Sequence, residues 1–302
     1  MKYDMIVVGA GPAGMTAALY ALRAGKSLLL IEGQAYGGQI VQSQKVENYP
    51  GAPDISGWEL AEQMMNQIRA LGVKLVAGNV TGIEKNADGD FLVRTDADSY
   101  EARTVILATG VGHRKLGVAG EEALIGRGVS FCATCDGMFF RRREVAVVGG
   151  GNTAVQDALV LSELCAKVYL IHRRDGFRAE ERLMERLRNT ENVTLLTNTV
   201  VSEMNGDGRL ESLLLRNVKT DATRELFVAG VFEAVGNLPR NAAFSDLVAL
   251  DPDGYIVTDR DCRTSCEGIF AAGDCCQKAV RQLTTATADG TVAALSAIEY
   301  LG

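Results

Sequence analysis

The segment Phe131-Cys132-Ala133-Thr134-Cys135-Asp136-Gly137 packs the most chemistry into the fewest residues. A Cys-x-x-Cys at the start of a helix or turn can close into a small disulfide ring, and helix N–H groups lower a thiolate's pKa and make it reactive. Asp136 follows directly and is a candidate proton donor and acceptor. The chain has only two histidines, His113 and His172. A histidine triad or a histidine-built zinc site is therefore nearly out of reach, and a carboxylate is the most available acid–base group. A zinc ribbon needs a second Cys-x-x-Cys. The sequence has none, and Cys262, Cys266, Cys275 and Cys276 lack the spacing of a common zinc module; no metal is expected. Cys165, on an apolar helical pattern, reads as a small core residue. Cys275 and Cys276 read as buried neutral thiols.

Two glycine fingerprints stand upstream and downstream of nucleotide-like patterns. Met5-Ile-Val-Val8 suits a buried parallel strand. Gly9-Ala-Gly11-Pro12-Ala13-Gly14 follows, then a helical pattern ending near Gly25, then a second apolar strand ending at Glu32. Gly9 makes the tight turn, Gly11 lets backbone approach a pyrophosphate, and Gly14 lets helix and strand pack closely. The helix start offers free N–H groups to an anion, and Glu32 can accept from an adenosine ribose. The pattern repeats with a strand over 144–148, Gly149-Gly-Gly151-Asn152-Thr153-Ala154, a helix over about 153–164 and a strand over 167–171. Here the acid is replaced by His172-Arg173-Arg174, with Arg178 shortly after. Guanidinium groups clamp a ribose 2′-phosphate that a carboxylate would repel. The first site thus suits FAD and the second NADPH. The fingerprints are too far apart for a solenoid period and read as two separate units.

Distant segments complete the flavin half. A strand over 104–107 leads to Ala108-Thr109-Gly110, and a strand entry over 268–272 leads to Gly273-Asp274, a turn whose carboxylate can meet a polyol. Arg281 and Gln282 precede a helical run over 284–294. Small antiparallel strands are expected around Asp88-Gly89 and from Val200 to Phe232. The predicted fold is α/β, with two Rossmann-like dinucleotide-binding domains of three-layer ββα form. The FAD domain is discontinuous (1–115 and 247–302), and the NADPH domain (116–246) is inserted. Its crossings carry Gly, Pro and polar residues, as hinges do.

Bulk properties agree with an ordinary soluble protein: 302 residues, 47% hydrophobic and 23% charged, long for one core and comfortable for two. A net charge of −7 argues against nucleic acid or an anionic membrane as main partner. The apolar N-terminal stretch lacks the charged lead and cleavage site of a signal peptide. Seven cysteines in no secreted-scaffold pattern suit a reducing, cytoplasmic compartment, where a disulfide is catalytic.

With these residues in view, the chain resembles the low-molecular-weight thioredoxin reductases essentially end to end. The resemblance rests on Gly9–Gly14, Gly37-Gly38-Gln39-Ile40, Val46-Glu47-Asn48-Tyr49-Pro50-Gly51, Cys132–Gly137, Gly149–Ala154, His172–Ala179, Gly273-Asp274 and Arg281-Gln282. Cys-Ala-Thr-Cys-Asp-Gly is the most specific. The flavin set expected on this basis also takes in Gly33 and Val80. The resemblance implies that NADPH reduces the flavin and that the flavin opens the disulfide. Cys135 is then the flavin-facing sulfur, Cys132 attacks the protein substrate, and Asp136 handles the proton. It further implies a homodimer acting on thioredoxin or a thioredoxin-like protein. Glu233, Asn237-Leu238-Pro239-Arg240 and Cys275-Cys276 depart from the family pattern. Two other readings compete: a related flavoprotein with another acceptor, and a flavin-bound redox or metal sensor. Ferredoxin–NADP reductases lack the cysteine pair, and a sensor has no evident use for two dinucleotide sites.

Overall fold

Runs of apolar residues buried on both faces set the architecture. In the strand Lys2–Val8, Met5 and Val7 point to one core and Ile6 and Val8 to the other, the alternation of a strand covered on both sides. The computed structural model describes residues 2–43, 45–52 and 54–302. It divides into two compact units, Met1–Gly112 with Leu238–Gly302, and His113–Asn237.

The first unit is built on a seven-stranded sheet. Lys74–Ala77, Leu28–Glu32, Lys2–Val8 and Ser99–Leu107 run parallel in that order. The long strand Ser99–Leu107 then serves two neighbours. Its start pairs antiparallel with Phe91–Thr95, which continues into Val80–Lys85. Its end pairs parallel with Ile269–Ala271. The turn at Asp88-Gly89 works because Gly89 takes φ +87°, open to glycine at no steric cost. Helices Pro12–Arg23 and Leu283–Leu301 lie so close that a Cβ on Gly290 would sit 2.2 Å from the Ala13 carbonyl oxygen. A third helix, Gly57–Ala70, starts with a capping box between Ser56 and Glu59.

The second unit carries a five-stranded parallel sheet: Val193–Leu196, Lys167–Ile171, Glu144–Gly149, Gly230–Ala234 and Val129–Ser130. Helix Asn152–Leu164 covers one face with Val155, Ala158 and Leu161. An antiparallel meander, Thr199–Asn205, Ser212–Asn217 and Thr223–Phe227, contributes Val201, Met204, Leu213 and Leu215 to the core cluster that also holds Val231. The layers are thus meander, sheet and helix.

The meander is shorter than the sequence suggests. Gly230–Ala234 belongs to the parallel sheet, because Val231 and Phe232 are buried on opposite faces in different clusters. The crossings between units fall at Gly112/His113 and Asn237/Leu238, earlier than the 115/116 and 246/247 read from hinge-like composition. Phe244, Val248 and Ile256 explain the second difference: they bury themselves with Ile6 and Val8 in the first unit's core. Strands Val111–His113 and Asn237–Pro239 pair with each other at the crossings.

Candidate active site

Cys132 and Cys135 are joined by a disulfide, with Cα atoms 5.3 Å apart. The pair opens a single helical turn, Ala133–Asp136, of which Cys132 is the N-cap. The Cys135 N–H points at Cys132 Sγ at 3.2 Å, and Thr134 Oγ1 lies 3.4 Å from the same sulfur. An amide aimed at a sulfur stabilises the thiolate that forms when the ring opens. Asp136 is fixed from two directions. Its own N–H donates to the Cys132 carbonyl at 3.0 Å, and Ser130 Oγ donates to its Oδ2 at 2.6 Å. Ser130 Oγ also accepts the Cys132 N–H at 3.1 Å. One hydroxyl therefore binds the acid to the backbone of the cysteine. Burial pushes the Asp136 carboxyl above its ordinary range, against a smaller lowering by Ser130. Ser130 sits two residues before Cys132 and carries no sequence signal of its own.

In the first unit, four turns meet at the carboxyl ends of parallel strands: those after Val8, Ile31, Leu107 and Ala271. Backbone bonds tie them together, from Gly9 N–H to Ile31, Ala108 N–H to Val8 and Ala272 N–H to Leu107. The glycines divide by role. A Cβ on Gly9 would lie 2.3 Å from Ala108 O, and one on Gly14 1.8 Å from Gly9 O; Gly33 is crowded by Asn79 Oδ1 at 2.2 Å. Packing within the protein forbids side chains at these three. A Cβ on Gly11 meets nothing nearer than the Gly38 Cα at 3.9 Å. That open space lies at the N-terminus of helix Pro12–Arg23, where Gly11 is the N-cap and no side chain caps it. Such a cradle suits a pyrophosphate. Pro12 stands at the helix start, where its missing N–H costs nothing, and Ala13 is buried against Gly273.

Glu32 accepts N–H groups from Ala10 (2.7 Å) and Gln34 (2.8 Å), one on each oxygen. Each oxygen keeps a lone pair for a ribose hydroxyl. Asp274 Oδ1 is buried with no partner, and burial raises its carboxyl above the ordinary range, against Lys278 and Arg281. An orphaned buried acceptor is costly and calls for a donor, as a polyol hydroxyl would provide. Gly273 takes φ +84° and donates its N–H to Asp289 at 3.0 Å. Thr109 Oγ1 donates to Asn241 Oδ1 at 2.8 Å. Gly110, next to Thr109, takes φ +63°. Gln39 Nε2 donates to the Val111 carbonyl, and Asn48 Nδ2 to Gln282 Oε1 at 3.2 Å. Gln282 caps helix Leu283–Leu301. Val80, which begins its strand, packs on the second core cluster.

Two further residues hold these turns in place. Arg281 donates to the carbonyls of Asp274, Cys276 and Lys278 and covers the Tyr255 ring at 4.0 Å; it braces the turn around Asp274. Asn241, unnoticed in the sequence, is fully buried. Its amide donates to the carbonyls of Gly254 and Cys275 while its oxygen takes Thr109. Cys275 and Cys276 are buried thiols with sulfurs 4.0 Å apart.

The second unit repeats the division of glycines. Gly149 is crowded by Ala234 O (2.5 Å) and Ala154 Cβ (2.6 Å), whereas a Cβ on Gly151, the N-cap of Asn152–Leu164, meets nothing within 4 Å. Thr153 is exposed on the first turn of that helix, and Asn152 Nδ2 donates to Glu180 Oε1 at 3.0 Å. A Cβ on Gly150 would strike the His172 ring at 2.1 Å. His172 is buried against Phe177, its Nε2 has no partner, and burial lowers its pKa. Arg173, Arg174 and Arg178 are exposed, and none joins an ion pair among the described residues. Asp175 is held instead by Lys219 at 2.6 Å. Three free cations at the end of the second strand fit a phosphate monoester. Among the described residues, no group of three or more His, Cys, Asp or Glu could hold a metal ion, and no helix is long and apolar enough to cross a membrane.

The profile described as "Pyridine nucleotide-disulphide oxidoreductase" matches residues 3–290. The chain is 47% identical to the thioredoxin reductase of Treponema pallidum (strain Nichols), over 99% of this chain and 97% of that one. It is 43% identical to the bifunctional thioredoxin reductase/thioredoxin of Mycobacterium leprae (strain TN), over 99% of this chain and 66% of that longer one. Among solved structures, the crystal structure of thioredoxin reductase from Streptococcus pyogenes MGAS5005 matches with a TM-score of 0.96 at 44% identity, covering 99% of this chain and 98% of that one.

Proposed function

This chain belongs to the pyridine nucleotide-disulphide oxidoreductase family, and on that premise we propose that it is an NADPH-dependent, FAD-containing thioredoxin reductase. The observation that carries the reading is the Cys132–Cys135 disulfide beside a half-buried, Ser130-bound Asp136. FAD is assigned to the unit with Glu32 and Asp274, held by Gly9–Gly14, Glu32, Gly33, Gly38, Gln39, Asn48, Val80, Thr109, Gly110, Gly273, Asp274, Arg281, Gln282 and the helix that follows. NADPH is assigned to the unit with Gly149–Ala154, its 2′-phosphate on Arg173, Arg174 and Arg178.

Bound together, the two cofactors supply a two-electron relay from nicotinamide through flavin to the disulfide. Opening the ring leaves Cys132 sulfur facing the Cys135 amide, which favours the thiolate there. Cys132 then attacks a disulfide sulfur of thioredoxin or a thioredoxin-like protein. Cys135 resolves the mixed disulfide, reforming the Cys132–Cys135 bond and releasing the partner as a dithiol. Asp136, whose hold on a proton is strengthened by burial, delivers and recovers the proton that one of these sulfurs needs. The M. leprae relative, named for both activities in one polypeptide, supports thioredoxin as partner. A cytoplasmic homodimer completes the reading.

The test is anaerobic. NADPH should bleach the flavin absorbance of the purified protein, and oxidised thioredoxin should restore it with stoichiometric thiol release. Bleaching without restoration would point to another acceptor; no bleaching would overturn the nicotinamide assignment.

A further inference from the structure

Glu121 and Glu233 are the two buried carboxyl groups of the second unit, 2% and 5% exposed. Glu121 opens the short helix Glu121–Leu124 and is well supplied with donors. Its oxygens accept the N–H groups of Leu116 (3.0 Å), Gly117 (2.6 Å) and Val118 (3.1 Å). Glu233 is not: neither of its oxygens has a partner. It stands one residue before the end of strand Gly230–Ala234, on the same face as Val231. The groups its side chain faces are the Glu121 carboxyl and the Leu116 N–H, which already donates to Glu121. Two bare carboxylates have no proton to share and repel at close range. A proton on Glu233 turns the same contact into an O–H···O bond and ends the orphaning.

We infer that Glu121 and Glu233 form a buried proton-binding site, in which Glu233 is a neutral acid donating to the Glu121 carboxylate. The site joins the segment just after the first crossing, 116–118, to the strand that leads into the second, where Arg114 N–H also meets Gly236 O at 2.9 Å. The proton therefore fastens together the roots of both crossings. Burial and the facing Glu121 push Glu233 up to about 8, against smaller opposing pulls from the Leu116 N–H and Lys115. The charged groups around the pair are Lys115, engaged by Glu122 at 2.5 Å, and Glu203 of the meander, whose backbone bridges Ala119. Above that range, Glu233 becomes an anion facing another anion, and the helix Glu121–Leu124 loses its hold on the sheet. The inference does not depend on the proposed activity.

Infrared difference spectra of the wild-type protein between pH 6.5 and pH 9.5 should show a protonated-carboxyl signal lost as pH rises, and Glu233→Gln should lack the component that titrates at about 8. Amide exchange, corrected for the intrinsic pH dependence, should show protection of residues 116–121 and 233–236 falling about tenfold or more over the same range. In Glu233→Gln, whose amide can still donate to Glu121, that protection should stay flat. Absence of that component from the wild type, or the same fall in protection in Glu233→Gln, would overturn the assignment.

Discussion

At the scale of single residues, the Cys132–Cys135 disulfide and the Ser130-bound Asp136 can be tested separately. Cys135→Ser should leave flavin binding intact and abolish disulfide reduction, read as NADPH-dependent bleaching of the flavin without thiol release. Asp136→Asn should lower turnover by on the order of 10²-fold. Its raised pKa also has a stability consequence. The folded state binds this proton more tightly than the unfolded chain, so stability falls as pH rises from the ordinary aspartate value through the raised one. Asp136→Asn should flatten that part of the curve in chemical denaturation at several pH values. Ser130 and Asn241 were not legible in the sequence. Each acts through a hydrogen bond that exists only once the chain has folded, Ser130 donating to Asp136 and Asn241 accepting from Thr109. A serine or asparagine in isolation reads as a turn former. The three carbonyl bonds by which Arg281 braces the turn around Asp274 likewise exist only in the folded chain.

At the scale of elements, strand–turn–helix units could be read because burial on both faces leaves an unbroken apolar run and the glycines punctuate it. The structure adds which glycines serve the protein and which serve a ligand. Gly9→Ala places a methyl against Ala108 O in a left-handed backbone conformation at φ +106°; the conformation alone costs about 1–2 kcal/mol. It should lower the stability of the cofactor-free protein. Gly11→Ala meets no protein atom closer than 3.9 Å. It should leave that stability unchanged and weaken FAD binding by roughly tenfold, about 1.4 kcal/mol, measured by titrating apoprotein with FAD. Equal stability losses in the two variants would contradict this division. The strand Gly230–Ala234 escaped the sequence reading for a local reason. Placed just after antiparallel segments, its short run looked like one more of them. Only its pairing with Glu144–Gly149 and Val129–Ser130 shows its membership of the parallel sheet.

At the scale of the whole molecule, the second unit is one continuous stretch of chain, and its ends are already bonded to each other through Arg114 N–H and Gly236 O. Its cores draw only on residues within that stretch. Residues 113–237 expressed alone should therefore fold cooperatively, with the circular dichroism of a helix–sheet protein, and should bind 2′-phosphate-bearing nucleotides more tightly than those without it. Charge reversal at Arg173 and Arg174 should remove that preference and leave folding intact. Two units were visible in the sequence from the repeated fingerprint. The crossing points were less so, because Phe244, Val248 and Ile256 look like any other scattered apolar residues until their burial beside Ile6 and Val8 is seen.

The discontinuity of the first unit also sets an order of events during synthesis. When residue 237 leaves the ribosome, the second unit is complete and the first is not. The end of strand Ser99–Leu107 still lacks its neighbour Ile269–Ala271, and the helix face of Pro12–Arg23 still lacks Leu283–Leu301. An unpaired sheet edge and a bare apolar face are the surfaces on which nascent chains aggregate. The early-finished second unit thus tethers an unfinished partner, and residues 238–302 are the ones that close it. Premature termination within them would leave a well-folded insert joined to a sticky half-sheet, a product that quality control should recognise by its exposed edge.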